Sequence, residues 1–261
     1  MANFETVTYQ SRDKVGIVTL NRPQARNALN RQMRLDLLQA IKHASQDEST
    51  RVIIIAAAGE GFCAGADLTE PMGNTPGAVT VQLKTEYMPA LLAIVQSTKP
   101  VIAAVNGAAA GIGAALALNC DLCVMAEDAY FYSAFGAISL IPDGGLHWLL
   151  ANRIGAKKTY EIILESQRLD AAQCLQLGLI NKVVTADQLL PSTLAWAQTL
   201  VQKAPLTARY AKQVLTCASE QTLEQSMNLE AELQDNCIRS KDFQEGATAF
   251  FEKRAAVFQG K

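Results

Sequence analysis

The first half of the chain alternates short aliphatic, β-branched runs with stretches whose apolar positions recur at three and four residues. Residues 15–20, 51–57 and 101–105 read as strands, and residues 30–44 and 79–97 as helices between them, which is the order of an α/β fold. Asn30 is placed to cap a helix in which Met33, Leu37 and Ile41 share one face. Residues 52–55 are apolar without alternation, so that strand is expected to be covered on both sides. Further short strands are expected at 122–125, 130–132 and 182–184. Beyond about residue 187 the pattern is helical throughout. Pro205 suits a first helical turn, and Phe243, Ala247, Phe250, Arg254 and Phe258 recur as one face of a terminal helix that needs a surface to pack on. Residues 69–80, with Pro71, Gly73, Pro76 and Gly77, read as a loop: either a cover over a ligand or an ordinary surface connection.

Composition narrows the function classes. The 261 residues are 49% hydrophobic, ample for a sizeable core. Twenty-three basic against 25 acidic residues leave a net charge of −2, and no basic stripe interleaves with aromatics, so no nucleic-acid partner is expected and an anionic ligand must be held by local groups. The opening MANFETVTYQSRDK lacks a basic segment followed by an apolar core, and the longest apolar stretch, 101–118, is broken by Asn106 and three glycines. A cytoplasmic protein without membrane association is the expectation. The six cysteines are too scattered for a disulfide framework. Cys120 and Cys123 fall in a run, 119–125, that reads as one buried strand, with the two thiols on opposite faces. With only His43 and His147 besides, no metal site is expected, and the thiols read as structural.

Two segments carry candidate chemistry: Gly61-Phe62-Cys63-Ala64-Gly65-Ala66-Asp67-Leu68 and Asn106-Gly107-Ala108-Ala109-Ala110-Gly111-Ile112-Gly113. Each follows a strand, and small residues let a ligand approach main-chain N–H groups. The second runs into a helix at 112–119, whose first N–H groups lack intrahelical partners and favour an anion. Neither has the Gly-Lys-Ser/Thr of a Walker loop or the Gly-x-Gly-x-x-Gly spacing of a dinucleotide site. The residues alone leave two readings, an oxyanion or phosphate site and simple tight packing.

The stretch Asn21-Arg22-Pro23-Gln24-Ala25-Arg26-Asn27-Ala28-Leu29-Asn30, the segment 62–68, Ala103-Ala104-Val105-Asn106-Gly107 with its glycine-rich continuation, and Ala249-Phe250-Phe251-Glu252-Lys253-Arg254 together resemble the crotonase, or enoyl-CoA hydratase/isomerase, family over residues 4–260. The resemblance implies a crotonase-like spiral of repeated ββα units that binds acyl-CoA over residues 1–200. It also implies a C-terminal helical region, 201–261, that makes homotrimers or hexamers. It assigns a thioester oxyanion hole to the backbone N–H groups of Ala66 and Ile112, with Ala64 and Gly111 beside them. Coenzyme A would lie along Gln24, Ala25, Arg26 and Ala28 and along Ala64, Asp67 and Leu68, Arg26 facing the phosphates, while Phe250 and Lys253 reach the ligand from a neighbouring subunit. The acyl-CoA thioester is substrate, and no tightly bound cofactor is implied.

The chain departs from the pattern where hydratases of the family carry two glutamates: Ala115 and Phe135 stand there. The carboxylate that remains is Asp143, at a position where some family members place a base or nucleophile; an aspartate after proline and before a helix is also a common cap. A pocket made apolar by Phe135 would raise its pKa, and one acid/base suffices to move a double bond. Isomerisation is therefore expected ahead of hydration, dehalogenation by nucleophilic Asp143, or non-catalytic acyl-CoA binding. His147, four residues on, reads as a partly buried packing residue on Asp143's helical face.

Overall fold

The structure, a computed structural model, describes residues 4–71, 73 and 75–261. Strands β1 (Val7–Arg12) and β2 (Val15–Leu20) pair antiparallel, and helix α1 (Arg31–Gln46) returns the chain to β3 (Val52–Ala57), parallel to β2. Helices α2 (Ala78–Gln82) and α3 (Met88–Val95) lead to β4 (Val101–Val105), parallel to β3. The chain then bends at Asn106-Gly107 into a short strand, β5 (Ala108–Ala110), and helix α4 (Ile112–Leu118). The same unit of long strand, short strand and helix recurs in β6 (Leu122–Ala126), β7 (Tyr130–Tyr132) and α5 (Leu146–Ile154). Helix α6 (Ala156–Leu164), β8 (Arg168–Asp170), α7 (Ala171–Gln176) and β9 (Lys182–Val184) complete two sheets, ordered β1-β2-β3-β4-β6-β9 and β5-β7-β8. Helices α8 (Leu189–Val201), α9 (Pro205–Cys217), α10 (Leu223–Ile238) and α11 (Lys241–Glu252) follow.

Every residue from Val52 to Ile55 is buried, so both faces of the large sheet are covered there; α1 packs along β1 and β2, and α8 along β2, β3, β4 and β6. Burying each of Ile53, Ile54 and Ile55 is worth about 1.5–3 kcal/mol. Asn30 caps α1 as its sequence suggests, its side chain accepting from Met33 N–H.

The small sheet continues past its named strands through two isolated parallel bridges, Cys63↔Ala109 and Leu29↔Ala66. Each repeat thereby adds one short extended stretch to a second layer, and the two glycine-containing segments lie edge to edge in it. Gly113 makes this approach possible, because a Cβ there would sit 2.3 Å from the Cys63 carbonyl oxygen.

Three expectations need correction. The run 79–97 is three segments rather than one helix: a π-helical stretch, Leu83–Tyr87, separates α2 from α3. Pro89 cannot donate to the ladder, and the hydrogen bonding slips by one residue just before it. Cys120 precedes β6 in the turn after α4, so the two thiols do not share a strand, although both are buried and free. The terminal helix stops at Glu252, with Lys253 in the left-handed conformation. Arg254 instead folds back to pair with Glu245, and Phe258 covers Gly246, so the five spaced residues do not form one helical face. The loop expectation at 69–80 includes Met72 and Asn74, which lie outside the described residues. Among the described residues no helix is long and apolar enough to cross a membrane.

Candidate active site

The Leu29↔Ala66 bridge dictates where the Ala66 N–H points. In a parallel bridge one residue bonds to both neighbours of its partner: Leu29 N–H donates to Gly65 O at 2.7 Å, and Leu29 O accepts from Asp67 N–H at 3.4 Å. The peptide groups on either side of Ala66 are thus turned towards Leu29. The Ala66 N–H is turned away from it, and it donates to no acceptor among the described residues. Gly65 permits the crossing, with φ +102° and a would-be Cβ 3.0 Å from Ala110 O and 3.9 Å from Gly111 Cα.

Ile112 N–H is free for a different reason. It opens α4, where the first N–H groups have no intrahelical acceptor, and Gly111 sets it up with φ 54° and ψ −127°, a conformation for glycine. The Gly111 N–H itself is taken by Tyr132 O at 2.9 Å. Two unpaired donors therefore come from neighbouring stretches of the second layer and line one cavity of about 200 Å³.

Asp143 lines the same cavity. Its loop is seated by Gly144, where a Cβ would lie 2.8 Å from Ala115 Cβ and 3.1 Å from an Ile112 side-chain carbon. The carboxyl is half-buried and its Oδ1 has no hydrogen-bond partner. Burial pushes its pKa up from 3.8 to about 6, opposed only by its own backbone N–H. It does not cap α5: Gly145 occupies the cap position with no side-chain bond, and Asp143 contributes only its carbonyl, to Leu146 N–H at 3.1 Å. His147 is exposed rather than partly buried. Gly144 and Gly145 both have positive φ and keep Asp143 out of the helix, so the shared helical face does not exist.

The cavity gathers Ala64, Ala66, Asp67, Leu68, Gly111, Ile112, Phe135 and Asp143 from the residues singled out in the sequence. Phe135 lies over Gly111, its Cζ 3.7 Å from a would-be Cβ there. Ala115 is fully buried behind the wall, against Gly144. Gln24, Ala25, Arg26 and Ala28 stand outside the cavity lining. Their stretch touches the first donor loop, since Arg26 O accepts from Ala64 N–H at 3.0 Å. Asp67 is occupied: Thr69 Oγ1 donates to it at 2.6 Å and Arg22 Nη1 at 2.9 Å, and these contacts, the Thr69 hydroxyl first, lower its pKa. Phe250, 79% exposed, and Lys253 stand on the C-terminal region outside the lining. Larger clefts of about 540 Å³ and 730 Å³, beside α3 and between α9 and α10, contain none of these residues. Among the described residues no His/Cys/Asp/Glu cluster is arranged to hold a metal.

The sequence reading missed Glu70 and Tyr87, which line the cavity, and the buried Arg34 behind them. Glu70 accepts from Arg31 N–H at 2.6 Å and from Arg34 Nη1 at 2.9 Å, so it too is occupied. Tyr87 is 7% exposed, and burial raises its pKa, keeping the phenol neutral. A signal was present: an arginine between Met33 and Leu37 on the face that α1 buries requires carboxylate partners.

The family model described as enoyl-CoA hydratase/isomerase matches residues 10–261. The chain is 36% identical over 248 residues to a 1,2-epoxyphenylacetyl-CoA isomerase of Escherichia coli K12, covering 94% of each protein. It is 35% identical over 259 residues to a Rhodobacter capsulatus protein named "probable enoyl-CoA hydratase", covering 99% of this chain and 100% of that one. Among solved structures, an enoyl-CoA hydratase subunit of Geobacillus kaustophilus HTA426 superposes with a TM-score of 0.93 at 33% identity, covering 100% of both chains. An enoyl-CoA hydratase of Polaromonas sp. JS666 gives 0.91 at 33% identity, over 97% and 99%. The repeated ββα units, the C-terminal helices and these whole-length matches agree: the chain has the crotonase fold and belongs to the enoyl-CoA hydratase/isomerase family.

Proposed function

We propose that the protein is an acyl-CoA isomerase that moves a double bond with one acid/base, Asp143, while the N–H groups of Ala66 and Ile112 hold the thioester oxygen. The observation that carries this reading is the Asp143 carboxyl, its Oδ1 without a partner and its pKa raised to about 6, in one cavity with two unpaired backbone donors. The ionised carboxylate removes a proton from C2 of a 3-enoyl-CoA. The electron pair forms C1=C2 of a dienolate still carrying C3=C4, and negative charge passes to the thioester oxygen. Two fixed donors stabilise that charge, each worth about 3–4 kcal/mol of barrier. Asp143 then returns the proton to C4: the thioester carbonyl re-forms, C1=C2 becomes C2=C3, and the C3=C4 pair makes the new C4–H bond. The other cavity carboxylates, Asp67 and Glu70, are engaged by Arg22 and Arg34, and Ala115 and Phe135 offer no group to activate water. The name of the Escherichia coli relative, an isomerase, supports the same direction; most relatives are named hydratases, which makes hydration the competing reading.

The substrate is read as a coenzyme A thioester, with Arg26 at its phosphates and no tightly bound cofactor. Leu223, Met227, Phe250 and Phe251 are exposed on the C-terminal helices. They support a division into a core, 1–200, and an oligomerisation region, 201–261, through which Phe250 and Lys253 meet a neighbouring subunit's ligand in a homotrimer or hexamer. A cytoplasmic location belongs to the same reading. A product assay on 2- and 3-enoyl-CoAs tests it. Interconversion of the two without 3-hydroxyacyl-CoA is expected, and hydration as the main reaction contradicts it.

A further inference from the structure

The guanidinium of Arg34 is 2% exposed, and its contacts reach further than its carboxylate partners. Its Nη1 donates to Leu29 O at 2.7 Å, Glu70 Oε2 at 2.9 Å and Tyr87 Oη at 3.0 Å. Its Nε and Nη2 donate to Glu86 Oε2 at 3.0 Å and 2.6 Å. Its carbon lies 4.5 Å from the centre of the Tyr87 ring. One cation thus ties together the donor loop (through Glu70), the helical wall (through Glu86 and Tyr87) and the Leu29 peptide.

Leu29 is the residue that aims Ala66. Its N–H and C=O grip the peptides on either side of Ala66, and the second of those grips, Asp67 N–H to Leu29 O, is long at 3.4 Å. The Arg34 bond to the same carbonyl is short and charge-assisted, so it fixes the Leu29–Asn30 peptide plane, adjoining the Ala28–Leu29 peptide whose N–H holds Gly65 O at 2.7 Å. Misplacing a preorganised donor by a fraction of an ångström weakens it most where charge develops, at the oxyanion.

We infer that Arg34 is a positioning residue for the reaction: through Leu29 it fixes the direction of the Ala66 N–H, and through Glu70 and Tyr87 it holds the facing wall at a set distance. The inference rests on reading Ala66 N–H as an oxyanion donor. Arg34 touches no substrate itself; its action is on the geometry of a donor one bridge away.

The test is the infrared C=O stretch of a ¹³C-labelled saturated acyl-CoA bound to the full-length protein, since a stronger oxyanion hole lowers that frequency. Arg34→Met, close in volume, and Arg34→Lys, which keeps the charge for Glu70 and Glu86 but loses the planar fork, should each lose at least about half of the wild-type downshift. Exchange of the α-proton at saturating ligand should slow about 10- to 100-fold. Glu86→Gln costs stability but keeps Arg34 on Leu29, and should retain the downshift. A full downshift in either folded Arg34 variant reduces Arg34 to a structural ion pair. An equal loss in Glu86→Gln overturns the route through Leu29. Wild-type protein that binds the thioester without any downshift refutes the oxyanion reading beneath the inference, an outcome distinct from the other two.

Discussion

Asp143→Asn should stabilise the folded protein at neutral pH, by an amount that disappears in acid. The carboxyl titrates at about 6 in the folded chain against an ordinary 3.8, because burial disfavours its charge. Between those values the folded state binds the proton more tightly than the unfolded one. The stabilisation from the neutral acid is complete below about pH 4 and is lost as pH rises through about 6. A rise of this size corresponds to about 3 kcal/mol as a ceiling, and solvent around the half-buried group reduces the working figure to about 1–2 kcal/mol. Asparagine is neutral at every pH and keeps the shape, so it removes the loss. Urea unfolding of both proteins at equal concentration, between pH 4 and pH 8, gives the difference directly, because the other carboxylates titrate alike in both. The variant should gain about 1–2 kcal/mol at pH 7.5 and nothing at pH 4. A pH-independent difference, or a variant less stable at pH 7.5, would show that the Asp143 carboxylate is adequately solvated or partnered and would remove the basis for its raised pKa.

Three further outcomes follow from the geometry. Gly113→Ala places a Cβ 2.3 Å from the Cys63 carbonyl oxygen, so it should cost about 1–3 kcal/mol and depress activity by shifting α4 and the Ile112 donor; wild-type turnover in a folded variant contradicts the placement. Ala66→Pro deletes the N–H that points away from Leu29, and calorimetry should show acyl-CoA binding collapse while Asp143→Ala retains it. Light scattering should find three or six copies in solution, and deletion of residues 240–261 should weaken assembly and ligand binding together; a stable monomer contradicts the role given to the exposed C-terminal side chains.

Much of this site was legible because it is built from backbone, and backbone conformation is written in small residues. Gly65, Gly111 and Gly113 mark the places where two stretches of chain approach and where N–H groups are left free, while Asp143 was singled out only through the family resemblance, as the carboxylate left where Ala115 and Phe135 replace two glutamates. Uniformly apolar strands such as β3 and β4 were readable from their β-branched runs. The three-residue strands β5 and β8 were not, since Ala-Ala-Ala and Arg-Leu-Asp lack the aromatic and β-branched residues that marked the equally short β7 and β9. The burial of Arg34 is signalled by its place on the apolar face of α1, but what it pairs with is hidden. Its partners Glu70 and Glu86 lie 36 and 52 positions away, and no local pattern links them. The end of the terminal helix was misread because Arg254 and Phe258 keep helical spacing by coincidence while the chain turns back at Lys253.

The central claim, that Asp143 moves a proton at the carbon beside a thioester held by Ala66 and Ile112, is tested most directly by α-proton exchange in deuterated water. Mass spectrometry of a saturated acyl-CoA incubated with the protein should show deuterium at C2, at a rate that rises with pH through about 6 as the carboxylate forms. Asp143→Asn should abolish most of that exchange while binding the ligand as before. Exchange that continues unchanged in the folded, ligand-bound Asp143→Asn protein would contradict the account.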